Sequence, residues 1–119
     1  MQLSLEHGTP ARLETIDTVV QGLCPTSTGC LNFLICAETL NGVLLLPDED
    51  ILAAQAELVR ERDEVVEPAG GAGLAVVTSG HLPATLLEGR DERNPLRVAV
   101  VVSGGNPDPV QLEALRTGA

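Results

Sequence analysis

At 119 residues, 44% of them apolar, the chain is long enough for one domain with a core of ordinary size. Its formal charge of −10 repels phosphate backbones and argues against nucleic-acid binding, and no stretch holds the roughly 18 uninterrupted apolar residues of a membrane span. The N-terminus, MQLSLEHGTPARLE, lacks the basic and apolar regions of a secretion signal, so a cytoplasmic location is the default expectation. Phe33 is the only aromatic residue, which leaves the core to Leu, Val, Ile and Ala. All seven basic residues are arginines, and there is no lysine.

In chain order, residues 1–30 read as loop and turns, with one short apolar stretch from Ile16 to Val20 and punctuation at Gly22, Pro25 and Gly29. The segment LNFLICAETL, residues 31–40, reads as a short helix running into an Asn41-Gly42 turn. Val43 to Leu46 is an apolar run without alternation, the pattern of a strand buried on both faces. The clearest helix follows. Asp48 is an N-cap candidate after Pro47, and Glu49 and Asp50 suit the positive end of the helix dipole. Ile51, Leu52, Leu58 and Val59 share one face, and Arg60 lies within i,i+3 reach of Glu57. Val65 and Val66 read as a two-residue strand that Glu67-Pro68 ends. Ala69 to Ser79, small and apolar, reads as a closely packed helix stopped by Gly80. Residues 81–96 read as a polar loop.

The stretch RVAVVVSGGNPD then supplies a buried strand at Val98–Val102, emptying into a Ser103-Gly104-Gly105 turn. In open α/β sheets, ligands bind just outside the carboxyl ends of strands, and the Ser103 hydroxyl sits at such an end, free to donate or accept a hydrogen bond. A tight strand-to-helix turn without a ligand is the other reading of these residues alone. Asp108 caps a last helix, Pro109 fits its first turn and Gly118 ends it. The order is α/β: a partial parallel sheet with flanking helices, in a single partial domain over 1–119 that reads as part of a larger sheet. Cys24, Cys30 and Cys36 are evenly spaced by six, unlike the close pairs that ligate zinc, so no metal site is expected and the thiols read as free.

Several motifs stand in a familiar order. The segments DTVVQGL (Asp17 to Leu23), LPDEDILAAQAELVRERDEVVEPAGGAGLAVV (Leu46 to Val77) and VAVVVSGGNPD (Val98 to Asp108) resemble the C-terminal part of the threonine/serine dehydratase family. These are fold-type II enzymes dependent on pyridoxal 5′-phosphate, and serine racemases belong to the same group. The opening SLEHGTPARLETID resembles the family segment before the first motif. The resemblance implies that Ser103 hydrogen-bonds the pyridine nitrogen of the cofactor, that Gly104 and Gly105 make room for the ring and the turn, that Glu67 lies near the ring, and that Gly22 belongs to a loop whose backbone lies beside it. A neutral hydroxyl partner leaves the ring nitrogen largely unprotonated, which suits elimination of the hydroxyl from serine or threonine.

The resemblance also implies a limit. The family's Schiff-base lysine, its glycine-rich phosphate loop and most of its cation ligands lie upstream of the segment matched here. A Schiff base needs a side-chain amine held by the fold, and this sequence has no lysine. The expectation is therefore one wall of a cofactor site with no catalytic residue of its own. The chain reads as a truncated or split dehydratase that is inactive alone, holding pyridoxal phosphate non-covalently and only beside a complementary N-terminal half. Self-association and a small amino-acid substrate for the intact family complete that reading. The alternative is a non-catalytic relic or a partner-binding module.

Overall fold

The computed structural model describes residues 1–118, which fall into two compact units, Met1–Leu45 and the chain from Leu46 onward. Among the described residues, no helix is long and apolar enough to cross a membrane.

The first unit holds helices α1 (Gln2–His7) and α2 (Cys30–Thr39). The opening residues do not form loop alone. Gly8, at φ 70°, ends α1 by sending its N–H to the Leu5 carbonyl, the left-handed stop that glycine makes without steric penalty. Six residues are too few to show an apolar period, and Gly8 is the only local signal. Ser4 is buried on this helix, and its Oγ accepts from the Ala11 N–H at 3.0 Å. Beyond it, Leu13 N–H donates to the Thr26 carbonyl at 2.7 Å beside an antiparallel bridge of Arg12 and Ser27. Helix α2 lies within a residue of its expected bounds. Only Phe33 of its side chains is buried, while Leu31, Leu34 and Ile35 are exposed.

The second unit is built on α3 (Asp48–Arg62). Its acidic first turn and basic last turn complement the helix dipole. Helical dihedrals begin at Asp48 itself, so Pro47 occupies the boundary that Asp48 was expected to fill, a one-residue shift of the kind helix ends allow. Ile51, Leu58 and Val59 are buried as the periodicity predicts, and Ala54 and Gln55 join them. Arg60 does not pair with Glu57; its Nε donates to the Leu115 carbonyl at 2.7 Å. That bond ties α3 to α6 (Pro109–Thr117). Between them lie a 3-10 turn at Pro68–Gly71, α4 (Ala72–Thr78) and α5 (Ala84–Leu87). The predicted Ala69–Ser79 helix is thus split, with Pro68 opening a tighter first turn. Helix α5 is a single turn inside the segment expected to be polar loop, and is too short for a periodic signal. The core joins Leu58, Val59 and Val66 with the partly buried Leu74, Leu112 and Leu115. His81 Nε2 meets Asp50 Oδ2 at 2.6 Å, linking the exit of α4 to the first turn of α3.

The expected partial parallel sheet is not found among the described residues. Among the described residues there is no strand ladder, only the isolated bridges Arg12–Ser27 and Asp91–Asn94. Val43–Leu46, Val65–Val66 and Val98–Val102 run outside any helix or strand. Val66 is buried, but Leu45 is 73% exposed and Val101 82%. A strand needs neighbouring strands to take its N–H and C=O groups, and among the described residues no strand lies beside these segments.

Candidate functional site

The predicted Ser-Gly-Gly turn and the Glu-Pro-Ala-Gly turn meet in the second unit. The Glu67 N–H donates to the Gly104 carbonyl at 2.7 Å. Gly104 adopts φ 74°, a conformation that side chains other than glycine's strain to reach. A Cβ built on Gly104 would overlap the Glu67 carboxylate and its Cγ, so the glutamate side chain lies directly over that glycine. A Cβ on Gly70 would overlap the Ser103 carbonyl oxygen. Two bare backbones, one from each turn, are thereby pressed together. Gly71 plays the same part toward α3: a Cβ there would stand 3.0 Å from the Gln55 nitrogen and 3.2 Å from the Ile51 carbonyl oxygen.

On this base Ser103 is exposed, Gly104 and Glu67 are half-buried, and among the described residues the Ser103 hydroxyl has no hydrogen-bond partner. The structure therefore brings Ser103, Gly104 and Glu67 together. Gly22 lies in the first unit, exposed, at φ 91° in a turn where Leu23 N–H donates to the Val20 carbonyl at 3.2 Å. It borders a cleft of about 720 Å³ lined also by Ser4, Leu13, Thr28, Asn32 and Leu45.

Two residues that hold this arrangement went unread in the sequence. Gly70 is part of the quoted Glu-Pro-Ala-Gly motif, yet nothing local says that its missing side chain admits residue 103. Gln55 is fully buried, and its Nε2 donates to the Val66 carbonyl at 2.9 Å, one peptide before Glu67. Its signal was available: it stands four residues after Ile51 and three before Leu58, a polar side chain in the apolar stripe.

As to the fit of pyridoxal phosphate, a neutral hydroxyl without a protein partner, beside a turn kept narrow by glycines, suits one edge of a planar heterocycle. The residues present offer that edge and no side-chain amine for covalent attachment.

No family model matches the chain. Individual proteins do. The chain is 30% identical over 116 residues to the biosynthetic L-threonine dehydratase of Halalkalibacterium halodurans, a match covering 98% of the chain and 26% of that protein. It is 32% identical over 93 residues to the serine racemase of Dictyostelium discoideum, covering 77% of the chain and 26% of the relative. Among solved structures, a threonine deaminase from T.th. superposes with a TM-score of 0.73 at 33% identity, over 90% of the chain and 36% of that structure. Maize serine racemase gives the same TM-score at 24% identity over 94% of the chain and 34% of its own, a likeness of fold. The chain is a homologue of the threonine dehydratases and serine racemases, and it spans only 26% of the length of either of these two relatives.

Proposed function

We propose that this chain forms one wall of the cofactor site of a pyridoxal-phosphate-dependent threonine/serine dehydratase-like protein. It corresponds to the C-terminal part of the fold, and catalysis resides only in its assembly with the complementary N-terminal segment, whether that segment is carried on the same polypeptide or on another. The observation that carries this reading is the junction of the two motif turns: Glu67 N–H to Gly104 carbonyl at 2.7 Å, with the Ser103 hydroxyl exposed and unpartnered beside it. Bound pyridoxal phosphate supplies an electron sink for elimination of the β-hydroxyl and release of ammonia from a small amino acid.

The roles of this chain's residues follow from their chemistry. Ser103 would hold the pyridine nitrogen by donating a hydrogen bond from its O–H, keeping its own proton and leaving that nitrogen without a full positive charge. Gly104 lets the backbone turn beside the ring where a side chain would collide with Glu67. Glu67 lies over Gly104 and screens that edge from water. Gly22, in the first unit, offers backbone in a left-handed turn. The lysine and the phosphate cradle belong to the complementary segment. Val98–Val102 and Val43–Leu46 become strand in that assembly, where a parallel sheet gives their backbone groups partners. Their exposure here, 82% at Val101, supports this.

The test is assembly of the chain with the N-terminal segment of a homologous dehydratase, followed by pyridoxal-phosphate binding and release of pyruvate or 2-oxobutyrate. Wild type is expected to bind and turn over. Ser103→Ala is expected to lose about 1–3 kcal/mol of cofactor binding, the penalty for a buried group left unbonded, with a further loss in turnover. Equal affinities and rates at saturating cofactor would remove Ser103 from the site.

A further inference from the structure

We infer that Gln55 is a positioning residue for the turn that carries Ser103, acting through a single peptide plane; the functional part of this inference rests on the cofactor reading above. The peptide between Val66 and Glu67 is held at both ends. Its carbonyl accepts from Gln55 Nε2 at 2.9 Å, and its N–H donates to the Gly104 carbonyl at 2.7 Å. A peptide unit is rigid, so fixing its oxygen fixes the direction in which its N–H points. Polarisation along such a chain also strengthens each bond. Gln55 reaches the Ser-Gly-Gly turn in this way without touching it.

The choice of an amide at this position fits the role. Gln55 is fully buried, its Nε2 also lies 3.5 Å from Gln111 Oε1, and its own Oε1 is buried without a partner. Turning the amide over would set Oε1 against both the Val66 and the Gln111 oxygens. An amide that strands an acceptor is a poor space-filler, because a buried unbonded group is a net loss. Methionine would fill a similar volume with no polar atom to strand. What glutamine adds is the donor, and the donor is spent on the peptide that holds Gly104. Gly71 permits it: a Cβ there would press on the backbone of Gln55.

The experiment is residue-resolved amide hydrogen exchange on the full chain, reading the Glu67 amide against Leu58 in the middle of α3. In Gln55→Met, Glu67 exchange is expected to accelerate about tenfold relative to Leu58, the scale of one hydrogen bond. Gln55→Glu supplies the control that a space-filling role would not move. Its protonated carboxyl can donate to the Val66 carbonyl, so the Glu67-to-Leu58 ratio should return toward wild type as pH falls, and the Met variant should show no such return. An unchanged ratio in Gln55→Met, or a uniform loss of protection at both amides, overturns the positioning role. These outcomes are independent of the cofactor: failure of the wild-type assembly to bind pyridoxal phosphate removes the functional reading and leaves the exchange result standing.

Discussion

The contact between Glu67 and Gly104 places two requirements on residue 104: a positive φ of 74° and no side chain where the Glu67 carboxylate lies. Gly104→Ala violates both and should destabilise the chain by about 1–3 kcal/mol. Glu67→Ala removes the three glutamate atoms nearest the new Cβ, and leaves the dihedral strain. The double variant should therefore recover part, and not all, of the loss. Urea denaturation of the two single variants and the double checks this; strictly additive losses would mean that the side chain does not lie over the glycine. The turn at Ser103-Gly104 was legible in the sequence because an apolar run followed by Ser-Gly-Gly is a local pattern; the roles expected of these residues came from the family resemblance. Gly70 and Gln55 were not, because their roles are set by residues distant in sequence: residue 103 presses on Gly70, and Gln55 reaches the Val66 carbonyl eleven positions later. A linear reading has no access to either contact.

At the scale of elements, helix ends with side-chain caps were legible. Asp108 Oδ1 accepts from the N–H groups of both Val110 and Gln111 at 2.9 Å, Pro109 occupies the first turn and Gly118 closes α6 at φ 73°. Each feature is a short-range interaction that the residue types specify. Asp108→Ala should cost about 1 kcal/mol, seen as a lower denaturation midpoint with an unchanged slope; Asp108→Asn, which keeps an accepting oxygen, should retain most of the stability. Helices α1 and α5 escaped the sequence reading because one or two turns carry no measurable period. The expected strands stand without a ladder for a different reason. Val98–Val102 has the right composition for a buried strand, but burial and ladder bonds come from neighbours, and composition does not say whether those neighbours are at hand.

The whole molecule then faces an unsatisfied surface. Val98, Val100, Val101 and Val102 are all exposed, and an extended apolar segment with unpaired backbone invites another chain. The chain alone should self-associate despite its charge of −10, and sedimentation should show dimers or larger species. Val101→Lys should shift the population toward monomer with little change in melting temperature, since a side chain 82% exposed has little packing to lose. A wild-type chain that sediments as monomer at high concentration would contradict this. Lysine absence gives a second whole-chain result. Borohydride reduction in the presence of pyridoxal phosphate should leave no stoichiometric adduct at an internal position, as judged by peptide mass spectrometry.

The contact of Gly70 with the Ser103 carbonyl, together with the Glu67–Gly104 bond, has a consequence for how the chain tolerates change in length. These contacts close residues 71–102 into an excursion with a fixed base. The far end of that excursion carries a tight turn in which Asp91 Oδ1 accepts from Arg93 and Asn94 at 2.8 Å, followed by the exposed Pro95. Closing a loop depends only weakly on its length, about 0.6 kcal/mol per doubling. An added glycine-serine segment after Pro95 should therefore leave both the melting temperature and the exchange rate of the Glu67 amide near their original values. The same insertion between Gly70 and Gly71 should lower the melting temperature and accelerate exchange at the Glu67 amide. Length can vary at the tip of this excursion, while its base admits none.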